Sequence, residues 1–550
     1  MTLERLFRVL VWALALVAAA SFLFLAAHRV PYPLELDYIE GALLDHVARL
    51  AAGQSIFVEP SMNFITLAYM PGYTALCALV AQVTGVEFWV PRAISLLSML
   101  LLALLVVRVI RRETGDTTLG VAGAGLLLAA YGVTGGHYDV GRADSLMLLL
   151  AFGGLAMLRL TNGMTGAIGA GLLLTAAFFT KQHAVWFVIA ALMHLLVSDR
   201  MRLWPFLAVV LLGCGGGYFV LSAWLGPWFQ FFTWEVPSHW STVSHVRILN
   251  YLGRGMVGTF GVLTTGVLAS LALPDRPWRG PSGLWYWAGL GGLATGLMAT
   301  LDPDAFRHVL NPSVVALSIL GPLALHSTLH HVATWPGQRR GSRPALLWVL
   351  LALQFLPLYY SARGHLPRSD AQQTRTDFIE KIRGYPGRVL MLYHGSYTRI
   401  AGKGTTFQQI ALDDIIRARG NRLLRDDPTF MDRVFAPMMA GSDRPVIITD
   451  VRLDHSGIES RAYWQRIAPS YVLVDSLRQL GARLNPVDGN HWTPRFVYAP
   501  PEKLGAFPDY RGPGPAAADS STQGFSTDGD PEAGNEAGST ESGDAGSAGR

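Results

Sequence analysis

The feature that most constrains this chain is a succession of long apolar segments between Val9 and Tyr360. A membrane-spanning helix needs about 20 mostly apolar residues, with a range of about 17–25. About a dozen segments approach that length: Val9–Ala27, Ile65–Thr84, Ala93–Val109, Thr118–Thr134, Ser145–Leu160, Ala167–Thr180, Ala184–Val197, Trp204–Leu225, Met256–Leu273, Trp285–Leu301, Val309–Leu325 and Ala345–Tyr360. Only 15% of the residues are charged, whereas soluble domains carry about 25%. The sequence therefore predicts a polytopic α-helical membrane protein.

Basic residues between the apolar segments predict the orientation of the helices, because short cytoplasmic loops accumulate Lys and Arg. The basic clusters are Arg5 and Arg8, then Arg108, Arg111 and Arg112, then Arg159, then Arg200 and Arg202, then Arg276 and Arg279, and finally Arg339, Arg340 and Arg343. After the first interval, two segments separate each cluster from the next. We therefore place the N-terminus and these clusters in the cytoplasm. Because membrane topology accounts for the basic residues, we expect no nucleic-acid partner.

The first interval does not fit this alternation, because three segments separate Arg8 from Arg108. Of the three, Ile65–Thr84 contains Pro71 and Gly72 in its first turns and follows a polar loop. We predict that it lies in the outer interface instead of crossing the membrane. The expected architecture is then about 11 spans plus an interfacial helix, followed by an extracytoplasmic C-terminal domain.

Changes in composition predict three parts in the chain. Residues 1–362 hold the apolar segments and form the expected catalytic domain. Residues 363–510 alternate β-rich runs with helical segments, which predicts an extracytoplasmic α/β domain. Residues 511–550 consist mainly of Gly, Ser, Ala, Asp and Glu, so we expect a disordered acidic tail.

Acidic residues in two outer loops are candidate catalytic groups. Asp37 and Glu40 follow the first apolar segment, and they would share a face at spacing i, i+3 if the segment were helical there. A carboxylate at hydrogen-bond distance can remove the proton of a sugar hydroxyl, although ordinary surface acids would look the same. Asp144 and Arg142 stand at the start of a later apolar segment, where helix capping alone would also explain the aspartate.

Basic residues in two further outer turns are candidate substrate contacts. Lys181 and His183 separate two apolar segments, and Arg307 and His308 open another. A guanidinium group can hold a phosphate through two parallel hydrogen bonds. The alternatives are a lysine that extends to the membrane surface and an arginine that pairs with a neighbouring aspartate. The sequence shows no metal-ligand pattern, and both cysteines, Cys77 and Cys214, lie in apolar segments.

Five stretches, in this order, resemble the membrane-embedded GT-C glycosyltransferases, and most closely the dolichyl-phosphate-mannose protein mannosyltransferase and aminoarabinose transferase group. They are Asp37 with Glu40, Ala68–Tyr73, Gly141–Ser145, Thr180–His183 and Phe306–Pro312. The resemblance covers about Pro33 to Pro312 and implies that Asp37 is the base and Asp144 a second acid. It further implies that Lys181 and Arg307 contact the donor phosphate.

We therefore expect an inverting glycosyltransferase that moves a sugar from a polyprenyl-phosphate carrier to a glycan, lipid or protein acceptor at the outer face. A divalent metal is compatible with this expectation, since some relatives use one. The expected location is a bacterial inner or plasma membrane, with the N-terminus in the cytoplasm. A transporter or flippase of a lipid-linked or anionic solute and a membrane-anchored assembly protein are the alternatives. Transporters carry charges within spans, whereas the informative charges here lie at helix ends.

Overall fold

The apolar segments form a bundle of helices in the computed structural model, which describes residues 2–240, 244–274, 277–302, 305–333, 343–440, 443–453, 461–489, 491–508 and 510. The helices of the bundle are α1 (Leu3–Arg29), α2 (Ile39–Ala51), α3 (Gly72–Thr84), α4 (Trp89–Thr114), α5 (Thr117–Ala129), α6 (Asp144–Leu160), α7 (Gly163–Thr180), α8 (Val185–Ser198), α9 (Arg200–Leu225), α10 (His245–Leu271), α11 (Leu284–Ala299), α12 (Asn311–Ala333) and α13 (Arg343–Gln354). Every predicted apolar segment overlaps one of these helices.

Within the described residues, six helical stretches are long and apolar enough to cross a membrane: Leu3–Arg29, Trp89–Thr114, Gly163–Thr180, Arg200–Leu225, His245–Leu271 and Arg307–His331. Four shorter apolar helices accompany them. The chain is an integral membrane protein, while the number of 11 spans stays a prediction. In the segment predicted to lie in the interface, α3 begins only at Gly72 and has 13 residues. At 1.5 Å per residue it is about 20 Å long, less than the roughly 30 Å of a bilayer core.

Helix α5 lies at the centre of the bundle and packs against α1, α4 and α12. Glycines on its surface allow this close packing. A Cβ atom at Gly125 would lie 2.4 Å from the Cβ of Ala15, and one at Gly120 would lie 2.7 Å from the carbonyl oxygen of Val107. Small residues commonly bring membrane helices together in this way, because lipid tails provide no hydrophobic force between helices.

An α/β region follows the bundle and contains one four-stranded sheet. Its helices are Ala371–Gly384, Ser396–Ile400, Gln409–Arg417, Arg422–Asp426, Phe430–Met439, Arg461–Ile467 and Arg478–Ala482. The strands β1 (Val389–Met391), β2 (Val446–Thr449), β3 (Val472–Ser476) and β4 (Phe496–Ala499) are ordered β1-β2-β4-β3. Strands β1 and β2 are parallel, and the other two pairs are antiparallel. Each strand overlaps one of the β-rich runs that the sequence predicts at 388–393, 444–450, 471–475 and 495–498.

The described residues up to Ala506 form one compact unit. The predicted boundaries at residues 362 and 510 stay predictions. Several residues used for the sequence-based orientation, namely Arg276, Arg339 and Arg340, lie outside the described residues, as does the acidic tail at 511–550.

Candidate active site

Asp37 lies in the short loop between α1 and α2, where it is almost completely buried. Its Oδ2 atom is 2.9 Å from the guanidinium of Arg142 and 3.0 Å from Nε2 of His137. Its Oδ1 atom accepts a hydrogen bond of 2.9 Å from the backbone N–H of Ile39. Because each carboxylate oxygen can accept two hydrogen bonds, Oδ1 retains acceptor capacity for a substrate hydroxyl.

The charge of Asp37 is fixed by these neighbours. Burial by itself raises the pKa of this carboxyl group, but the attraction of Arg142 and the hydrogen bond from His137 outweigh it. The net result is a pKa well below the usual range of an aspartate. Asp37 is therefore ionised at neutral pH, as a proton acceptor must be.

Asp144 forms an ion pair with Lys181, whose Nζ atom is 2.8 Å from the Oδ1 atom of the aspartate. Asp144 is the first residue of α6 and makes no N-cap hydrogen bond there; its side chain bonds to Lys181 instead. Lys181 directly follows α7 and also lies over the ring of Tyr69, with 5.8 Å between Nζ and the ring centroid. In the structure the ammonium group of Lys181 is therefore paired with a carboxylate.

Arg142 connects the two acids and reaches His308. Its guanidinium contacts Asp37, lies 4.0 Å from an oxygen of Asp144, and has one nitrogen 3.5 Å from Nε2 of His308. His308 is buried, its ring lies 5.2 Å from that of His137, and its Nδ1 atom has no hydrogen-bond partner among the described residues. The cluster thus combines two acids, two cations and an imidazole with a free polar atom.

Glu40 has a different environment from the one the sequence suggested. Helix α2 begins at Ile39, so Asp37 precedes the helix and the two acids do not share a helical face. Glu40 faces Arg92 instead, with contacts of 2.9 and 2.6 Å to its guanidinium, and accepts backbone N–H groups of Leu36 and Gly141. Four hydrogen bonds use its full acceptor capacity.

Two predicted substrate contacts lie at the margin of the cluster. His183 is half-buried and close enough to Lys181 and Asp144 to interact with their charges. Arg307 is exposed and directly precedes His308, which is buried in the cluster. The structure therefore brings Asp37, Arg142, Asp144, Lys181 and His308 together, with His183 beside them and Arg307 at the surface.

Sequence reasoning missed a second buried network next to this cluster. Arg29, the last residue of α1, contacts Asp139 at 2.8 Å and Asp488 at 2.5 Å, and Asp488 also contacts His365 at 2.7 Å. A signal was present in the sequence, because Arg29 and Arg92 stand at helix ends like Lys181 and depart from the same charge pattern.

The acids of the cluster do not fit a divalent metal ion. Asp37 is bonded to Arg142 and His137, and Asp144 is bonded to Lys181. Across the described ranges, no group of three or more His, Cys, Asp or Glu side chains is arranged to hold a metal ion. A hard cation needs several free oxygen ligands, so we assign no catalytic step to a metal.

A pocket opens next to Arg142 and Asp144. Apart from these two charged residues, its lining is mainly apolar and aromatic: Ile39, Leu43, Tyr69, Met70 and Tyr73 contribute to it. Its interior is small, with a volume of about 10 Å³, which is room for about one water molecule.

Comparison with known proteins agrees with this architecture. Residues 69–225 match the family described as dolichyl-phosphate-mannose-protein mannosyltransferase. The crystal structure of ArnT from Cupriavidus metallidurans in the apo state is similar with a TM-score of 0.55 and 14% identity, over 91% of this chain and 99% of that one. The structure of ArnT bound to undecaprenyl phosphate gives a TM-score of 0.52, also at 14% identity and over the same shares of the two chains.

The archaeal oligosaccharyltransferase AglB from Archaeoglobus fulgidus is more distant, with a TM-score of 0.47 and 11% identity over 80% of this chain and 69% of that one. No curated protein matches the chain in sequence. The predicted resemblance to the GT-C glycosyltransferases is confirmed, and the chain has the fold of ArnT.

Proposed function

We propose that this protein is a glycosyltransferase that moves a sugar from a polyprenyl-phosphate carrier to an acceptor at the outer face of the membrane. One observation carries the proposal: Asp37, Arg142, Asp144, Lys181 and His308 meet at one end of an apolar helix bundle, beside a pocket, although they come from four separate loops. One of the similar ArnT structures is bound to undecaprenyl phosphate, which supports this carrier class.

In the proposed reaction, Asp37 takes the proton of the acceptor hydroxyl. The acceptor oxygen then forms a bond to the anomeric carbon of the sugar, and the bond between that carbon and the phosphate oxygen breaks. His137 and Arg142 hold the carboxylate in place through its Oδ2 atom, which leaves Oδ1 to face the hydroxyl. Such positioned proton transfer contributes about 100- to 10,000-fold to a rate.

The leaving group in this reaction is an anionic lipid phosphate. Lys181, Arg142 and the surface residue Arg307 are the cations that would stabilise it electrostatically, and the unpaired Nδ1 atom of His308 is a further polar contact. His183 would contact the substrate beside Lys181. Asp144 keeps the Lys181 ammonium near the pocket through their 2.8 Å ion pair.

The positions of these charges favour an enzyme over a transporter. Asp37 precedes α2, Asp144 is the first residue of α6, and Lys181 follows the last residue of α7. Transporters place their polar sites near the membrane midplane, in interrupted helices. An assembly protein would not need two acids and two cations around a pocket.

A transfer assay tests the proposed function. Purified protein is incubated with a panel of radiolabelled polyprenyl-phosphate sugars and an extract of membrane acceptors. We expect one donor to yield a labelled product together with free polyprenyl phosphate. The opposite outcome is that the protein moves the donor between the leaflets of a vesicle and leaves its sugar–phosphate bond intact. That result would identify a flippase.

The proposed orientation has a separate test based on accessible surface positions. After Cys77 and Cys214 are replaced, single cysteines are introduced at Arg111, predicted to be cytoplasmic, and at Gln54, predicted to be external; both residues are exposed. We expect an impermeant thiol reagent added to intact cells to label position 54 and to leave position 111 unlabelled until the cells are opened. Labelling of position 111 in intact cells would show that Arg111 faces the outside and that the predicted orientation is wrong.

A further inference from the structure

The α/β region contacts the loop that carries Asp37 through a buried chain of three ionisable side chains. Glu35, two residues before Asp37, bonds through Oε2 to Nδ1 of His394, and the Nε2 atom of His394 lies 3.2 Å from Oδ1 of Asp450. All three side chains are at most 2% exposed. Burial alone lowers the pKa of His394, but the attraction of the two carboxylates outweighs it and raises this pKa.

His394 and Asp450 lie at the edge of the sheet where α/β domains usually bind ligands. His394 follows β1 and Asp450 directly follows β2, and these neighbouring strands are parallel. Their carboxyl ends therefore meet at one edge, where open α/β sheets bind substrates and cofactors. Here the carboxylate of the chain's own Glu35 occupies that edge and also receives a 3.4 Å contact from the hydroxyl of Ser396.

A second contact fixes the same loop from the other side. The backbone N–H of Asp488 donates a 2.9 Å hydrogen bond to the carbonyl of Leu36, and the Asp488 carboxylate bonds to Arg29. The next residue, Gly489, has a φ of +75°, and a Cβ atom there would lie 3.4 Å from the carboxylate of Asp37. Residues 35, 36 and 37 are thus each in contact with or next to the α/β region.

We infer that the α/β region positions Asp37, with His394 and Asp488 as positioning residues that hold its loop from two sides. This inference rests on the proposed function and gives the α/β region a role in it. Neither residue touches the reacting atoms: both act through residues adjacent to the base. A displacement of about 1 Å in a reacting group can lower a rate by about 100-fold, so anchoring this short loop has a direct catalytic effect.

The test measures backbone amide hydrogen exchange and turnover in His394→Gln, Glu35→Gln and the double variant. Glu380→Gln, which changes an exposed glutamate in the same region, is the matched control. We expect exchange in residues 35–41 to rise by about tenfold or more in His394→Gln, because a charge-assisted buried hydrogen bond is lost, while the transmembrane helices exchange as before. The double variant should show little more exchange than either single variant, because each single substitution already removes the same hydrogen bond between Glu35 and His394.

The kinetic arm separates positioning from binding. In His394→Gln, kcat should fall by about tenfold or more, while KM for the donor stays within about twofold. Asp450→Asn is a milder change that leaves the atoms touching Glu35 in place; if His394→Gln does not fold, this variant should show the same pattern to a smaller extent. Unchanged exchange in residues 35–41, or raised exchange with unchanged kcat, would overturn the inference.

The exchange arm also keeps the two proposals apart, because it does not depend on activity. If the unaltered protein forms no glycoside from any donor, the proposed glycosyltransferase function fails, yet localised exchange in residues 35–41 still shows that His394 fixes the loop. If the unaltered protein is active and the His394→Gln variant equals it in kcat and in exchange, the function stands and the positioning role fails.

Discussion

Asp37→Asn should lower turnover by about 100-fold or more while the donor binds with nearly unchanged affinity. Asparagine keeps the size of the side chain and the oxygen that accepts hydrogen bonds, but it cannot take a proton at neutral pH. The carboxylate is ionised in the folded protein because Arg142 and His137 hold its pKa low, so the substitution removes a charged base. Initial rates at saturating donor, together with a donor-binding isotherm, measure the two quantities.

The matched control is Asp426→Asn, an aspartate-to-asparagine change at an exposed position paired with Arg425 on the surface. It should leave both rate and donor affinity unchanged. Near-normal turnover in correctly inserted Asp37→Asn protein would show that the base lies elsewhere, and Asp144 would become the next candidate because it shares the cluster with Arg142 and Lys181.

Glu40→Gln should act on folding, with a loss of about 3–5 kcal/mol in the free energy of unfolding. Glu40 and Arg92 form a fully buried ion pair with a contact of 2.6 Å. Removing the negative partner leaves the guanidinium buried without a counter-charge, which costs more than the pair itself contributes. Equilibrium unfolding of detergent-solubilised protein measures the change.

Glu4→Gln is the comparison for this variant, because Glu4 forms a partly exposed pair with Arg8 that is expected to contribute about 0–1 kcal/mol. Glu40 was a catalytic candidate on sequence grounds, and the experiment decides between the two roles. A Glu40→Gln protein of normal stability that has lost turnover would return Glu40 to the set of reacting groups.

The apolar segments and the central charges of the site could be predicted from the sequence, because each depends on local pattern. A long apolar run forms a helix wherever it lies in lipid, since every backbone polar group must be satisfied internally. Charged residues at the ends of such runs stand out against their surroundings, and this contrast indicates Asp144 and Lys181 as site residues. Their mutual contact at 2.8 Å follows from neighbouring helix ends.

The anchors of the site could not be predicted, because their environment is created by tertiary packing. His394 and Asp450 occur in a region of ordinary globular composition, where a histidine and an aspartate attract no notice. Only the parallel pairing of β1 and β2 brings them together. The start of α2 at Ile39 could not be predicted either, because the preceding residues would also suit a helix. Because α2 starts there, Asp37 and Glu40 have different partners.

The contact between Arg29 and Asp488 joins residues 459 positions apart in the chain, and this separation bears on biosynthesis. A ribosome adding about 5–20 residues per second needs on the order of a minute to progress from one to the other. During that interval the first loop lacks Asp488, one of its two anchors. A nascent or truncated chain that ends before Asp488 therefore carries all the proposed reacting groups without the enclosure that orients them, so catalytic competence should arise only at the close of translation.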